Sequence, residues 1–247
     1  MPDQLPNIMH ELSIYSIDFK DKLISTISNQ TINKISITNK KYNTPILDII
    51  KKIQNINPKL DIIPYYSLKY HQGASLQITT MDFISYLEAY KALSIEEVLL
   101  ISGVAKSKYN TIQVLDMLRP IYKSDQYPKI AVAYNPFLTG VNLKIENDYI
   151  KSKIQSGIIY SVYLQIGIDL KIIQESIQYL RQLQPNLDIY ISLINPTPTR
   201  LAQFNYRPWK GVYLPQEYLH SSTNAIAINK SIYNLAKKLN FHIIQGE

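Results

Sequence analysis

The feature that most constrains the fold is an alternation of strand-like and helical segments that repeats about every 30 residues. The strand-like runs are short, rich in β-branched or aromatic residues, and bounded by polar, Gly or Pro residues. Seven such runs precede residue 195: Leu12–Ile17, Lys34–Thr38, Asp61–Tyr66, Glu97–Ser102, Lys129–Tyr134, Ile159–Ile166 and Leu187–Leu193. An eighth falls at Phe241–Gln245 or at Val212–Leu214, and we favour Phe241–Gln245.

Helical patterns fill the gaps between these runs. One helix is expected to begin at Thr79, with Asp82 as a cap-like partner, and another ends before Pro185. A strand-then-helix repeat predicts parallel strands joined by crossover helices. Seven or eight such units in 247 residues predict a single (β/α)8 TIM-barrel domain spanning 1–247. A doubly wound open sheet is the alternative, but the chain has no G-x-G-x-x-G or phosphate loop to support it.

Composition narrows the class of protein. The net charge is +7, but the lysines are scattered and cluster only in pairs, so a solvated surface is favoured over nucleic-acid binding. No apolar run reaches the roughly 18 residues of a membrane span, and the amino terminus lacks the pattern of an export signal. The absence of cysteine excludes thiolate metal sites, and the four histidines lack metal-ligand spacing. We expect a cytoplasmic protein with a small-molecule substrate, and a homo-oligomer or protein partner stays open.

One segment, residues 195–219, interrupts the repeat as a Pro- and aromatic-rich loop insertion. It contains four prolines, the single Trp, Trp209, and the arginines Arg200 and Arg207. Arg207 could pair bidentately with a carboxylate or phosphate, and Trp209 could stack on a flat ring. A long loop after the seventh strand of a barrel lies on the catalytic face, where it can form a lid or a ligand wall. The alternative is a loop that Trp209 merely anchors over the barrel mouth.

A second candidate region runs from Glu146 to Asp169. Gln165 is the polar residue near the carboxyl end of an otherwise hydrophobic strand, where barrel enzymes carry out their chemistry. An amide there can donate and accept hydrogen bonds to a heterocycle edge, or it can pair with a neighbour in the barrel core. Lys153 precedes this strand and can balance a phosphate, or it can be a surface lysine beside Lys151.

Several segments together resemble methylenetetrahydrofolate reductase, a flavin-dependent (β/α)8 barrel. The similar segments are ISITN, IIPYYS, LSIEEVLLISG, IAVAYNP and, most specifically, DYIKSKIQSGIIYSVYLQIGID. The resemblance implies an FAD-dependent oxidoreductase of one-carbon metabolism that acts on a folate-type or other flat heterocyclic substrate. It implies that the cofactor is bound by Thr38, Tyr134, Lys153 and Gln165, with Glu146 or Asp148 as an acidic partner. The substrate would then contact Gln165, Arg207 and Trp209.

The chain departs from this family at the positions that carry acid–base chemistry. The family's first-strand glutamate falls on or near Tyr15, and its third-strand histidine falls on Tyr65, so these tyrosines take the catalytic positions. Its Arg-Gly-Asp becomes Ser102-Gly103-Val104. A phenol with a pKa near 10 is a slow acid unless its environment shifts it. Three hypotheses stay open: the flavin oxidoreductase, an inactive or repurposed barrel that binds folate or a protein partner, and a different barrel enzyme.

Overall fold

A computed structural model describes residues 8–14, 21–29, 32–38, 45–102 and 108–246. Its strands form a closed barrel in the order β1-β2-β3-β4-β5-β6-β7-β8, and the paired strands run parallel. The predicted (β/α)8 barrel is therefore confirmed. The strands are β1 (Ile8–Leu12), β2 (Lys34–Ile37), β3 (Asp61–Ser67), β4 (Glu97–Ile101), β5 (Lys129–Tyr134), β6 (Ile159–Leu164), β7 (Asp188–Ile194) and β8 (His242–Gly246).

Helices follow the strands in the expected rhythm. They are α1 (Asp21–Ser28), α2 (Ile46–Ile56), α3 (Leu76–Ala92), α4 (Thr111–Leu118), α5 (Gly140–Gln155), α6 (Leu170–Leu183), α7 (Pro198–Tyr206), α8 (Gln216–Leu219) and α9 (Ser222–Leu239). Side-chain caps fix several of their starts, because the first backbone N–H groups of a helix lack partners within it. Asp169 caps α6 in this way, and Ser221 caps α9. No helix in the described ranges has the length and apolar character needed to cross a bilayer.

The largest differences from the sequence predictions lie at the first strand, at the start of α3 and in the insertion. The first strand is Ile8–Leu12, not Leu12–Ile17, because a polar pair takes part in the parallel register: His10 lies opposite Ile35 and Glu11 opposite Ser36. Helix α3 begins at Leu76, not Thr79, because the Ser75 hydroxyl accepts a hydrogen bond from the Ile78 amide. The insertion at 195–219 contains the helices α7 and α8, and the last strand is the favoured carboxyl-terminal one.

The contacts of the chain divide it into two compact units. The first unit comprises residues 9–132 and 152–160, and the second comprises 1–8, 133–151 and 161–247. The single-domain expectation stays a prediction.

In the first unit, adjacent residues of β3 face opposite ways, as strand geometry requires. Tyr66 packs against α3, where its hydroxyl donates to Asp82 at 2.6 Å, whereas the Tyr65 hydroxyl donates to Glu11 on β1.

Candidate functional site

A cluster of polar side chains joins the first three strands in the first unit. In the parallel register Glu11 lies opposite Ser36, and Ser36 lies opposite Ile63. Continuing this register by two residues brings Ser13, Thr38 and Tyr65 level with one another, nearer the carboxyl ends of the strands. We call these residues the β1–β3 polar cluster: Glu11, Ser13, Ser36, Thr38 and Tyr65. The carboxyl end of the strands is where barrel enzymes hold their ligands.

The central contact of the cluster is a hydrogen bond from a phenol to a carboxylate. The Tyr65 hydroxyl donates to Glu11 Oε2 at 2.8 Å. Tyr65 is only 9% exposed, and burial, followed by the nearby charge of Glu11, raises the pKa of its phenol well above 10. Tyr65 therefore remains a protonated donor at neutral pH. Within the described part of the chain, the second carboxylate oxygen of Glu11, Oε1, makes no hydrogen bond.

Hydroxyl groups flank this pair. Thr38 is almost fully buried, and its Oγ1 donates to Ser13 Oγ at 3.4 Å. Its backbone N–H donates to Leu12 O at 3.1 Å, which extends the β1–β2 pairing beyond the last strand residue. Ser13 is exposed, so the cluster opens to solvent on the side of these two hydroxyls. The arrangement offers a carboxylate acceptor and two hydroxyls to a polar ligand.

The structure thus brings together two residues singled out by the sequence, Thr38 and Tyr65, and adds a third, Glu11. Tyr15, the other predicted catalytic tyrosine, lies outside the described residues. Sequence reasoning missed Glu11 because it began the first strand at Leu12, which left the glutamate outside the strand. A signal for Glu11 was present in the short segment IMHEL. Side chains alternate between the two faces of a strand, so a carboxylate in this segment can lie on the face that is turned away from the helices.

Gln165 and Tyr134 belong to the second unit. The Gln165 backbone N–H donates to Tyr134 O at 2.9 Å, and the Gln165 side-chain Oε1 accepts from the Ile166 amide at 3.0 Å. Gln165 is half-buried, and among the described residues its Nε2 donates to no partner. The side chain keeps a donor for a ligand, so the predicted ring-binding role of Gln165 stays a prediction.

The Tyr134 side chain points at a helix. Its ring is 3% exposed, and its hydroxyl donates to Asn147 Oδ1 on α5 at 2.6 Å. Burial, followed by the proximity of Tyr179 and Glu146, raises the pKa of this phenol far above its ordinary value. The hydrogen bond from the Tyr134 hydroxyl to Asn147 therefore connects β5 to α5. The predicted contact of Tyr134 with a cofactor stays a prediction.

Lys153 lies on the last turn of α5, just before β6 begins, whereas Gln165 directly follows the end of β6. The cofactor-binding roles predicted for Lys153 and Gln165 stay predictions. Glu146, a predicted acidic partner, accepts a hydrogen bond from the Asn135 backbone N–H at 3.0 Å.

The insertion at 195–219 is packed against the second unit by its own apolar residues. Leu201 and Phe204 of α7 join a buried cluster with Ile166 and Ile194, which follow β6 and end β7. The Trp209 ring lies 4.8 Å from the ring of Phe204, centroid to centroid, and Trp209 is 42% exposed. The contact with Phe204 agrees with the alternative in which Trp209 anchors the loop. The exposed part of the Trp209 ring is still accessible to a ligand. Arg207 is exposed, and like Arg200 it forms no ion pair within the described ranges.

No group of three or more His, Cys, Asp or Glu side chains in the described residues could hold a metal ion.

Comparison with known proteins adds evidence about the fold. No family model matches the sequence, and no curated protein matches it. Solved structures do match, at 7–13% identity. The active domain 2 of a thermostable chitinase from Pyrococcus furiosus has a TM-score of 0.63 and 7% identity over 98% of this chain and 84% of its own. Xylanase 10B from Thermotoga petrophila, in complex with xylobiose, has a TM-score of 0.62 and 11% identity over 97% of this chain and 81% of its own.

A third structure, an uncharacterized protein from Clostridium thermocellum, binds two copies of 5-methyl-5,6,7,8-tetrahydrofolic acid. It has a TM-score of 0.62 and 11% identity over 97% of this chain and 87% of its own. At such low identity these similarities establish the barrel fold alone, because one barrel scaffold hosts many unrelated functions.

Proposed function

We propose that this barrel binds a reduced pterin of the folate type, or a closely similar flat heterocycle, at the β1–β3 polar cluster. The observation that carries the proposal is the Glu11 carboxylate on the first strand, which Tyr65 holds at Oε2 while Oε1 accepts from none of the described residues. Pterins present an amino group and a ring N–H side by side, and a carboxylate can accept from adjacent donors of this kind. The hydroxyls of Thr38 and Ser13 can form hydrogen bonds with the other polar atoms of the ring.

The same cluster does not favour hydrolysis of a glycosidic bond. Glycosidases generally place two carboxyl groups across the scissile bond, about 5–9 Å apart. Within the described strands, Glu11 is the one carboxylate in the carboxyl-terminal half of a strand; Glu97 and Asp188 stand at strand starts. Glu97 also lies 3.7 Å from the Lys34 ammonium. Of the ligands bound by structurally similar proteins, a tetrahydrofolate suits this site better than a xylan fragment.

The test is a calorimetric titration of the purified chain with 5-methyltetrahydrofolate, repeated on Glu11→Gln. The amide keeps the shape of the side chain but removes the charge and places a donor against donors of the ligand. Hydrogen bonds to charged groups are worth about 1.5–3 kcal/mol, so binding should weaken by roughly 10- to 100-fold.

The matched control is Glu88→Gln, because Glu88 is an exposed carboxylate on α3 of the same unit. This variant should bind like the parent chain. Equal affinities of the parent and Glu11→Gln would remove Glu11 from the site, and the absence of binding by the parent chain would refute the proposal itself.

A second candidate is a flavin-dependent reductase acting on the same class of heterocycle. The specific observation in its favour is again Glu11, since it supplies a carboxylate on the first strand, where the resemblance expects the proton donor. In the same unit, the hydroxyl of Thr38 is suited to a hydrogen bond with a flavin ring. The β1–β3 polar cluster contains no cation, however, so the cluster fits the ring of FAD and not its diphosphate.

This candidate is tested by the visible absorption spectrum of the chain after incubation with FAD and desalting. Retained flavin absorbance would support the reductase and justify assays with folates. A colourless protein that still binds 5-methyltetrahydrofolate would leave pterin binding without flavin chemistry, which corresponds to the repurposed barrel.

A further inference from the structure

A cavity of about 500 Å³ lies within the second unit, between the start of α6, the segment before α8, and α9. Its volume is in the range of pockets that hold small molecules, about 300–1,000 Å³. The walls are mainly apolar and include Ile168 and Ile228, with the rings of Phe137 and Tyr213 as the aromatic surfaces. None of these residues belongs to the β1–β3 polar cluster, so the cavity is not part of the site proposed above.

The two aromatic walls are positioned by a single amide. Asn135 Oδ1 accepts from the Phe137 backbone N–H at 3.2 Å, and Asn135 Nδ2 donates to Gly211 O at 2.9 Å, two residues before Tyr213. Gly211 has φ +80°, a backbone conformation that side chains other than glycine rarely adopt. These contacts hold the segment that carries Tyr213 at a fixed distance from Phe137.

A glycine lets the Phe137 ring sit deep in the wall. A Cβ atom placed on Gly167 would lie 2.2–2.4 Å from the Phe137 ring, which is far closer than real carbon contacts. The ring therefore packs directly on the backbone that follows β6, and Phe137 is 8% exposed. By contrast, Tyr213 is 66% exposed, so a large aromatic surface faces solvent at the cavity. A flat apolar group can cover such a surface.

The charges at the cavity favour a cation. Two carboxylates, Asp169 and Glu217, line it against one ammonium, that of Lys171. The Lys171 ammonium already lies 3.9 Å from the Glu175 carboxylate. Asp169 uses Oδ1 to cap α6, accepting from the Lys171 and Ile172 amides at 2.9 and 3.0 Å. Its Oδ2 accepts no hydrogen bond from the described residues.

From these observations we infer that the cavity between Phe137 and Tyr213 is a second binding site, which takes a small aromatic amine. The ring lies between the two aromatic walls, and the ammonium group faces Asp169 and Glu217. A neutral ring of the same shape binds more weakly, and a ring that carries a carboxylate binds most weakly. At 4 Å in water, one unit-charge attraction corresponds to about a fivefold change in affinity.

The test uses three matched probes with ligand-observed NMR: tryptamine, the neutral 3-ethylindole and the anionic indole-3-propionate. Tryptamine should bind about fivefold more tightly than 3-ethylindole, and indole-3-propionate should bind most weakly. Tyr213→Ala should weaken tryptamine and 3-ethylindole alike, by about five- to tenfold, because a stacking surface is lost. Glu217→Gln should reduce the preference for tryptamine over 3-ethylindole to about twofold and leave 3-ethylindole unchanged.

Tyr206→Ala is the control, because Tyr206 is a 92% exposed tyrosine of the same insertion that does not line the cavity. It should bind all three probes like the parent chain. The inference is overturned if tryptamine shows no saturable binding up to about 10 mM, if the three probes bind equally, or if Tyr206→Ala weakens binding as much as Tyr213→Ala. Both tested side chains are exposed, so their loss leaves the folded core intact.

Discussion

The contact between Tyr65 and Glu11 makes a quantitative prediction about stability. Tyr65→Phe removes a single oxygen from a side chain that is 9% exposed, and it leaves the Glu11 carboxylate without its phenol donor. A hydrogen bond to a charged group contributes about 1.5–3 kcal/mol. Glu11 is only half-buried, so water can replace the hydroxyl in part, and we expect a loss near the lower limit, about 1.5 kcal/mol.

The assay is a double-mutant cycle in urea, followed by far-UV circular dichroism at pH 7. Tyr65→Phe, Glu11→Ala and the double variant are compared with the parent chain, and the cycle isolates the pairwise interaction from other effects of each substitution. In thermal unfolding, a loss of about 1.5 kcal/mol in a chain of this size corresponds to a decrease in Tm of about 3–6 °C.

Tyr206→Phe is the control for removing a phenol oxygen, because its side chain is 92% exposed. It should leave the free energy of unfolding within about 0.5 kcal/mol of the parent value. A coupling energy between Tyr65 and Glu11 below about 0.5 kcal/mol would be indistinguishable from independent sites. That result would refute the view that the phenol holds the carboxylate in place.

Two further predictions concern buried groups elsewhere. Burial raises the pKa of Tyr65 and of Tyr90 far above 10, so both stay protonated in the folded chain while the unfolded chain loses these protons. Their contribution is complete below about pH 9, and its loss should lower the free energy of unfolding by about 2 kcal/mol between pH 10 and 11, about 1 kcal/mol for each phenol. Tyr66 and Tyr134, whose pKa values burial also raises, add to this fall. Urea midpoints that stay constant over this interval would contradict the prediction. Gly167→Ala should displace the Phe137 ring and cost about 1–3 kcal/mol, and an unchanged Tm would show that the ring does not pack on this glycine.

The barrel could be predicted from the sequence because its strands are short apolar runs at regular intervals. Seven of the eight predicted strands lie within about two residues of the observed ones, since the apolar residues themselves mark where a strand is buried. The last strand is one of these seven, although two segments competed for it. The first strand was predicted too late in the sequence, because His10 and Glu11 are polar. A search for apolar runs does not identify a strand that has a polar face.

The candidate site was harder to predict, because hydrogen-bond partners distant in sequence decide it. Tyr65 was identified, but its partner Glu11 lies 54 residues earlier on the chain. The hydrogen bond of Tyr134 to Asn147 was likewise not predicted, because Asn147 lies 13 residues further along the chain on a helix. Helix α7 was missed although Thr197 and Pro198 form a recognisable helix start, with a side-chain cap and a proline in the first turn.

The most direct test of the central claim is a crystal structure of the chain grown with 5-methyltetrahydrofolate. Our account predicts the pterin ring at the β1–β3 polar cluster, with donors of its pyrimidine edge within about 3 Å of the Glu11 carboxylate and the Tyr65 hydroxyl still bonded to Glu11. A folate found elsewhere, with Glu11 and Tyr65 untouched, would contradict it.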